Sequence, residues 1–305
     1  ALHDQGPVRP RTVWEAAREL REYGIHMLHT HGWDALMVGA AAAKVAGIPH
    51  LIHSQYRLPP LGNPGLLERS AASLALANTE QWVVNTEMVA EGLAARLGLA
   101  KERLCLVPRA VNTDLFRPPL ERGALRHNLG YDRGQVVLGT VGPLRQEKQV
   151  AWLLEAAAEL LADGVQVRVL VVGSGPEEAA LKGLAEELGL SGRCQLIGFA
   201  GDLPAMLTAM DIYVQTASDE GVQVATLEAM SAGLPVLAAD QGAVGEVIRD
   251  GETGLLFRAG GGTELANRLR PLLEQPDRWM ELGNNARRAV EQRNQVNDVV
   301  ARYWE

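Results

Sequence analysis

Two cysteines in 305 residues, Cys105 and Cys194, rule out the disulfide framework of a small secreted domain. They also lack the paired spacing of a zinc site. The expectation is a reduced chain with two ordinary buried thiols. Basic excess is missing too: the net charge is −8. That argues against non-specific nucleic-acid binding, which needs a basic face to displace phosphate counterions, and against strong polybasic attachment to anionic lipid. No apolar run reaches membrane-spanning length. The Ala/Leu-rich stretch Ala35–Ala46 is too short, with Lys44 inside it and Gly47 after it. Ala1–Pro10 is polar and carries proline and glycine, so no secretory leader is read there. The expected location is cytoplasmic, with membrane contact at most peripheral at the inner face. No internal repeat or low-complexity run is present.

What is there is the balance of a globular protein, 47% hydrophobic and 22% charged, with length for two α/β domains. Short β-branched runs alternate with amphipathic stretches, the rhythm of βαβ units on parallel sheets. In the first third the strands read as Ile25–His29, His50–His53, Gln81–Asn85 and Leu104–Val107. Helices read as Trp14–Tyr23, Ala35–Ala46, Leu66–Ala77 and Glu87–Leu97. Phe116-Arg117-Pro118-Pro119 then breaks the pattern, and 112–120 reads as a hinge. Beyond it the strands are Val136–Val141, Val165–Val172, Cys194–Ile197, Ile212–Gln215, Pro235–Ala238 and Gly254–Phe257. Val150–Ala162, Glu177–Leu188, Leu203–Ala209, Val224–Ala232 and Ala243–Ile248 read as helices. Several of these strands are apolar throughout, which implies a sheet covered on both faces. The tail Asp277–Glu305 reads as helical, with Trp279, Leu282, Val290, Val299, Tyr303 and Trp304 as packing residues.

The strongest motif is Asp219-Glu220-Gly221-Val222-Gln223-Val224-Ala225-Thr226-Leu227-Glu228-Ala229-Met230-Ser231-Ala232-Gly233-Leu234-Pro235-Val236. Glu220 lies in a loop after a strand, Gly221 permits close backbone approach, and a helix follows. The N–H groups and dipole at that helix start favour an anion. Glu228, two turns in, can accept from a vicinal diol such as a ribose, and Glu220 from sugar hydroxyls. Each such charge-assisted bond is worth about 1.5–3 kcal/mol. This segment resembles the E-x7-E signature of retaining GT-B glycosyltransferases of family 4. The resemblance runs from about His26 to the end and is densest over 136–257. It implies that Glu220 contacts the donor sugar and Glu228 the nucleotide ribose, with Gly221, Val222 and Gln223 lining the same donor site.

Two further strand ends carry phosphate-type loops. Gly139-Thr140-Val141-Gly142-Pro143-Leu144-Arg145-Gln146-Glu147-Lys148 is similar to the family's Gly-Arg-Leu…Glu-Lys pattern, whose cations clamp the diphosphate as it leaves. Lys148 matches. Pro143 stands where the arginine is expected, and Arg145 is the nearest guanidinium that can replace it. Val171-Val172-Gly173-Ser174-Gly175-Pro176 begins like a dinucleotide fingerprint, but Glu178 occupies the third glycine position. It fits the family's Gly-x-Gly-Pro turn, placing Gly173 and Gly175 beside the nucleotide. Phe199, in the loop after Ile197, borders the base in the resemblance.

His29-Thr30-His31 follows a strand, and alternation puts the two histidines on one side. A metal site needs a third ligand, and none stands at metal spacing. In the family a strand-end histidine faces the donor sugar, which assigns His53 a sugar-contacting, proton-handling role. His31, at the preceding strand end, falls on the acceptor side.

The fold expected from the resemblance is GT-B: an α/β chain with two Rossmann-like domains facing a cleft. Residues 1–117 would form the acceptor-side domain, shortened because no apolar strand precedes Trp14. Residues 118–285 would form the nucleotide-sugar domain, and 286–305 a helix packing back on the first. The implied function is retaining, metal-independent transfer from a UDP- or GDP-sugar to a glycan, lipid-linked or small-molecule acceptor, with Glu220, His53 and Lys148 catalytic and no cofactor beyond the donor. Three alternatives stand beside it. They are a non-catalytic nucleotide-sugar binder, a GT-B sugar-nucleotide epimerase and an NAD-dependent oxidoreductase.

Overall fold

The computed structural model describes residues 9–59, 66–119, 123–132, 134–198, 201–217 and 222–303. Two compact units divide between Pro108 and Arg109, ahead of the Pro118-Pro119 pair read as the hinge. Residues 109–116 run with the second unit: Val111 bridges to Gln295, and Ser231 Oγ donates to the Phe116 carbonyl. Residues 286–303 fall in that unit as well.

In the first unit, β1 (Met27–His31), β2 (His50–Gln55), β3 (Gln81–Val84) and β4 (Leu104–Leu106) form a parallel sheet in that order. The helices are α1 (Pro10–Glu22), α2 (Trp33–Ala46), α3 (Leu66–Asn78) and α4 (Glu87–Leu97). Thr86 caps α4 by accepting from the Val89 amide at 3.2 Å, as a threonine just ahead of a helix should. The core gathers Leu36, Met37, Leu51, Trp82, Val84, Val89 and Leu93. Cys105 is exposed, contrary to the sequence expectation, and lies on β4, an edge strand of the sheet.

The second unit holds a six-stranded parallel sheet in the order β10-β9-β8-β5-β6-β7. Its strands are β5 (Val136–Val141), β6 (Val167–Val172), β7 (Cys194–Ile197), β8 (Ile212–Gln215), β9 (Val236–Ala239) and β10 (Leu255–Phe257). They are joined by α5 (Gly123–Asn128), α6 (Ala151–Ala162), α7 (Glu178–Glu187), α8 (Leu203–Ala209) and α9 (Val224–Ser231), and followed by α10 (Gly262–Leu273), α11 (Pro276–Arg293) and α12 (Val296–Arg302). The mostly apolar strands β5, β6, β8 and β9 are largely buried on both faces. Cys194 is half-buried, and burial pushes its thiol up to about 12. Arg126 is paired with Asp211 at 2.7 Å and also donates to the Gln135 carbonyl, while Asp211 accepts from the Val137 amide. That network ties α5 to the start of β5.

The tail is two helices, not one stretch, and breaks at Asn294–Gln295, where the backbone turns to meet Val111. Leu282, Val290 and Val299 are buried as expected, whereas Tyr303 is exposed; Trp304 lies outside the described residues. The 243–248 segment forms only a 3-10 turn at Val244–Glu246. Helix α10 was not anticipated, although Leu265, Ala266, Leu269 and Leu272 repeat at helical spacing and are buried. The glycines at 260–262 and Pro271 obscure it.

Candidate functional site

The second sheet fixes where a ligand belongs. From β5 the chain moves outward through β6 and β7, then returns to lay β8 on the other side of β5 and continues through β9 and β10. The carboxyl ends of β5 and β8 therefore flank the switch point of a doubly wound sheet, where the two loops part and leave a crevice. A hollow of about 10 Å³ lies there, lined by Thr140, Gly142, Lys148, Gln215, Thr216 and Gln223 among others. Gly142, Lys148 and Gln223, separate in sequence and all read as donor-binding, meet in this hollow.

The loop after β5 is held from both sides. The Gly142 amide donates to the Val172 carbonyl and the Leu144 amide to the Ser174 carbonyl, at 3.0 and 2.9 Å. The Glu177 amide returns a bond to the Leu144 carbonyl at 3.0 Å. Gly173 has φ +146°, and a Cβ there would stand 1.9 Å from the Gly142 carbonyl oxygen. A Cβ on Gly175 would stand 2.2 Å from that of Leu144. The two glycines thus let the β6 loop lie directly on the β5 loop.

Lys148 is fixed through its backbone. Its amide donates to the Arg145 carbonyl at 2.9 Å, and its carbonyl accepts from Thr216 Oγ1 at 2.6 Å. Gln149 follows at φ +49°, the one non-glycine residue at positive φ among those described. Such a conformation costs of order 1–3 kcal/mol and persists only where the surroundings hold it. Arg145 is different: exposed, 3.9 Å from Glu147, and outside the lining of the hollow.

Helix α9 starts at Val224, with Gln223 at its N-cap making no side-chain cap bond and no acidic residue in the first turn. The positive end of its dipole is left for an anion. Val222 is buried just before it. Glu228, in the second turn, is half-buried, and burial pushes its carboxyl up. Burial and then the Glu228 charge push the buried Tyr213 hydroxyl up as well, which places the two side chains in each other's field. Phe199, Glu220 and Gly221 lie outside the described residues.

In the first unit the pleat sorts the histidines by face. The His29 and His31 rings lie 4.3 Å apart between centroids, tilted by 31°; His29 Nε2 lies 2.8 Å from Ser54 Oγ, and His31 Nδ1 lies 2.7 Å from the Tyr56 hydroxyl. His31 also lines a hollow of about 570 Å³ between α1, β1 and α2. His53, one residue out of phase with Ser54, turns to the opposite face. It is wholly buried, edge-on to Trp82 at 4.9 Å. Its Nδ1 lies 2.9 Å from Thr30 Oγ1 and its Nε2 2.9 Å from Gln55 Oε1. Burial pulls its pKa down to about 4. A sugar contact from His53 would therefore require one of these ring hydrogen bonds to open. Among the described residues no cluster of three or more His, Cys, Asp or Glu could hold a metal ion, and no helix is long and apolar enough to cross a membrane.

Sequence reasoning missed Gln215, Thr216 and Thr140. A polar pair closing an otherwise apolar strand, Gln215-Thr216, was the available signal. The bond from Thr216 to Lys148 spans 68 positions and leaves no local trace.

Residues 121–289 match the family model described as glycosyl transferases group 1. The chain belongs to this family. Residues 1–115 match a second model, glycosyltransferase family 4. The chain is similar to a D-inositol 3-phosphate glycosyltransferase of Nocardia farcinica, 31% identical over 92% of this chain and 65% of the relative. It is also similar to a 2-deoxystreptamine glucosyltransferase of Streptomyces kanamyceticus, 32% identical over 79% of this chain and 66% of the relative. It thus spans under two thirds of the length of either. Among solved structures, Anabaena HepE in complex with UDP and glucose superposes with a TM-score of 0.85, 25% identity, and coverage of 96% of this chain and 80% of that one. Sucrose-phosphate synthase from Thermosynechococcus elongatus shares the fold, with a TM-score of 0.83, 22% identity, and coverage of 97% and 76%. Two parallel α/β sheets of this kind are those of GT-B glycosyltransferases.

Proposed function

We propose that this group 1 family member is a retaining, metal-independent glycosyltransferase that uses a nucleotide-diphosphate sugar. The observation that carries the reading is the convergence of Lys148, the glycine-stitched β5 and β6 loops and the uncapped start of α9 on the switch point of the second sheet. A UDP- or GDP-sugar would lie there. HepE, which binds UDP and glucose, favours uridine and glucose as the first pair to test. The acceptor, a glycan, lipid-linked or small molecule, would approach the His31 side of the first unit.

Lys148 and the α9 dipole would offset the charge that builds on the diphosphate as it departs. Glu228 would accept from ribose hydroxyls; their arrival restores the carboxylate that burial now disfavours. Glu220 would accept from the sugar. No side chain stands out as a covalent nucleophile, so the working mechanism is displacement on one face. The anomeric carbon–oxygen bond to the diphosphate breaks, the acceptor oxygen bonds to that carbon from the same side, and its proton passes to the departing phosphate oxygen. His53 keeps a positioning role, holding Thr30 and Gln55.

The test is turnover and calorimetric binding with UDP-glucose and GDP-glucose. Lys148→Ala and Glu220→Ala should each lower kcat by about 10²–10³ with an unchanged Tm. Full activity in either variant refutes the assigned roles. Conversion of the donor with no acceptor present would favour an epimerase.

A further inference from the structure

At the hollow of the switch point, two side-chain amides each hold one buried atom without a hydrogen-bond partner among the described residues. Gln215, the last residue of β8, is only 6% exposed, yet its Oε1 has no hydrogen-bond partner among the described residues. The Nε2 of Gln223 is buried and without a partner in the same sense. Both side chains line the hollow together with Lys148. Buried polar groups are nearly always paired, and leaving one unpaired costs stability. Val214, the neighbour of Gln215 on the other face of the strand, belongs to the apolar core.

We infer that Gln215 is a specificity-determining residue which, with Gln223, hydrogen-bonds a single hydroxyl of the donor sugar. This rests on the donor reading above and deepens it. The pair offers one acceptor and one donor. A hydroxyl both donates and accepts and satisfies both amides as they stand, whereas a phosphate oxygen, an acceptor only, satisfies Gln215 only after its amide turns over. The hollow, about 10 Å³, admits one water-sized group and not a ring. Because Lys148 lines the same space, the hydroxyl belongs to the sugar beside the diphosphate and not to the base.

The experiment uses the full chain and its Gln215→Leu variant, titrated calorimetrically with UDP, UDP-glucose and the 2-, 3-, 4- and 6-deoxy forms of UDP-glucose. The ligand-free Tm of each protein is also measured. The wild type should bind one deoxy form about 10–100-fold more weakly than UDP-glucose, the worth of two buried hydrogen bonds. In Gln215→Leu that ratio should fall by about 10-fold, to the worth of the remaining Gln223 bond, with UDP affinity unchanged. Its ligand-free Tm should rise by about 2–4 °C, because an unpaired buried amide is replaced by an apolar group of similar size. Retention of the wild-type preference in the variant, or a fall in its Tm, overturns the inference. A wild type that binds UDP-glucose but ranks every deoxy form equally overturns it while leaving the donor reading intact. A wild type that binds neither UDP nor UDP-glucose overturns the donor reading and the inference together.

Discussion

Acidification should destabilise the first unit through one side chain. His53 is buried, neutral and bonded at both ring nitrogens, and its pKa is lowered from the usual 6.5 to about 4, chiefly by desolvation. In the unfolded chain the same imidazole takes up a proton near pH 6.5. Between pH 6.5 and 4 the unfolded state therefore holds more protons, and folding stability falls as the pH drops. Above that window both states are neutral and nothing is lost. Below it both are charged and the loss is complete, about 3 kcal/mol at 1.36 kcal/mol per unit. At pH 5 the loss is already about 2 kcal/mol by the same linkage. The assay is urea unfolding of the wild type and His53→Gln at pH 7, 6, 5 and 4.5. Carboxylate titrations are common to both chains, so the difference between them isolates the histidine. The variant should lose about 2 kcal/mol less than the wild type between pH 7 and 5. Parallel stability curves, or an NMR titration placing His53 at 6 or above in the folded protein, would refute the buried, neutral assignment.

Other outcomes follow from the same geometry. Gly173→Ala should cost about 1–3 kcal/mol, because its Cβ would stand 1.9 Å from the Gly142 carbonyl oxygen at φ +146°. Gly183→Ala is the control: a Cβ there meets nothing within 4 Å inside α7, and the change should stabilise by about 0.5–1 kcal/mol in thermal melts. A thiol-specific reagent should label Cys105 rapidly in the native protein and Cys194 slowly, since one is exposed and the other half-buried with a thiol pushed up to about 12. Cys105→Ser should abolish the fast phase.

Much of the second unit was legible in the sequence because its strands are short, mostly apolar and β-branched runs. Val136–Val141, Cys194–Ile197 and Ile212–Gln215 fold over the residues where β-branched and apolar composition placed them. Gly142 and Lys148 were legible as a loop motif, and the structure brings Gln223 to them. Three things were not. The face on which His53 lies depends on pleat phase, and a one-residue difference from Ser54 puts it on the side of Trp82 rather than that of His29. The support under Lys148 comes from Thr216, a contact visible only once β8 lies beside β5. Cys105 lies exposed on β4, which the sheet order makes an edge, and nothing in Leu104-Cys105-Leu106 announces it.

The most direct measurement is a crystal structure of the chain soaked with UDP. The account predicts the diphosphate at the start of α9 with the Lys148 ammonium on it, and the ribose hydroxyls within hydrogen-bond distance of the Glu228 carboxylate. A nucleotide bound elsewhere, or one whose ribose turns away from Glu228, would contradict it.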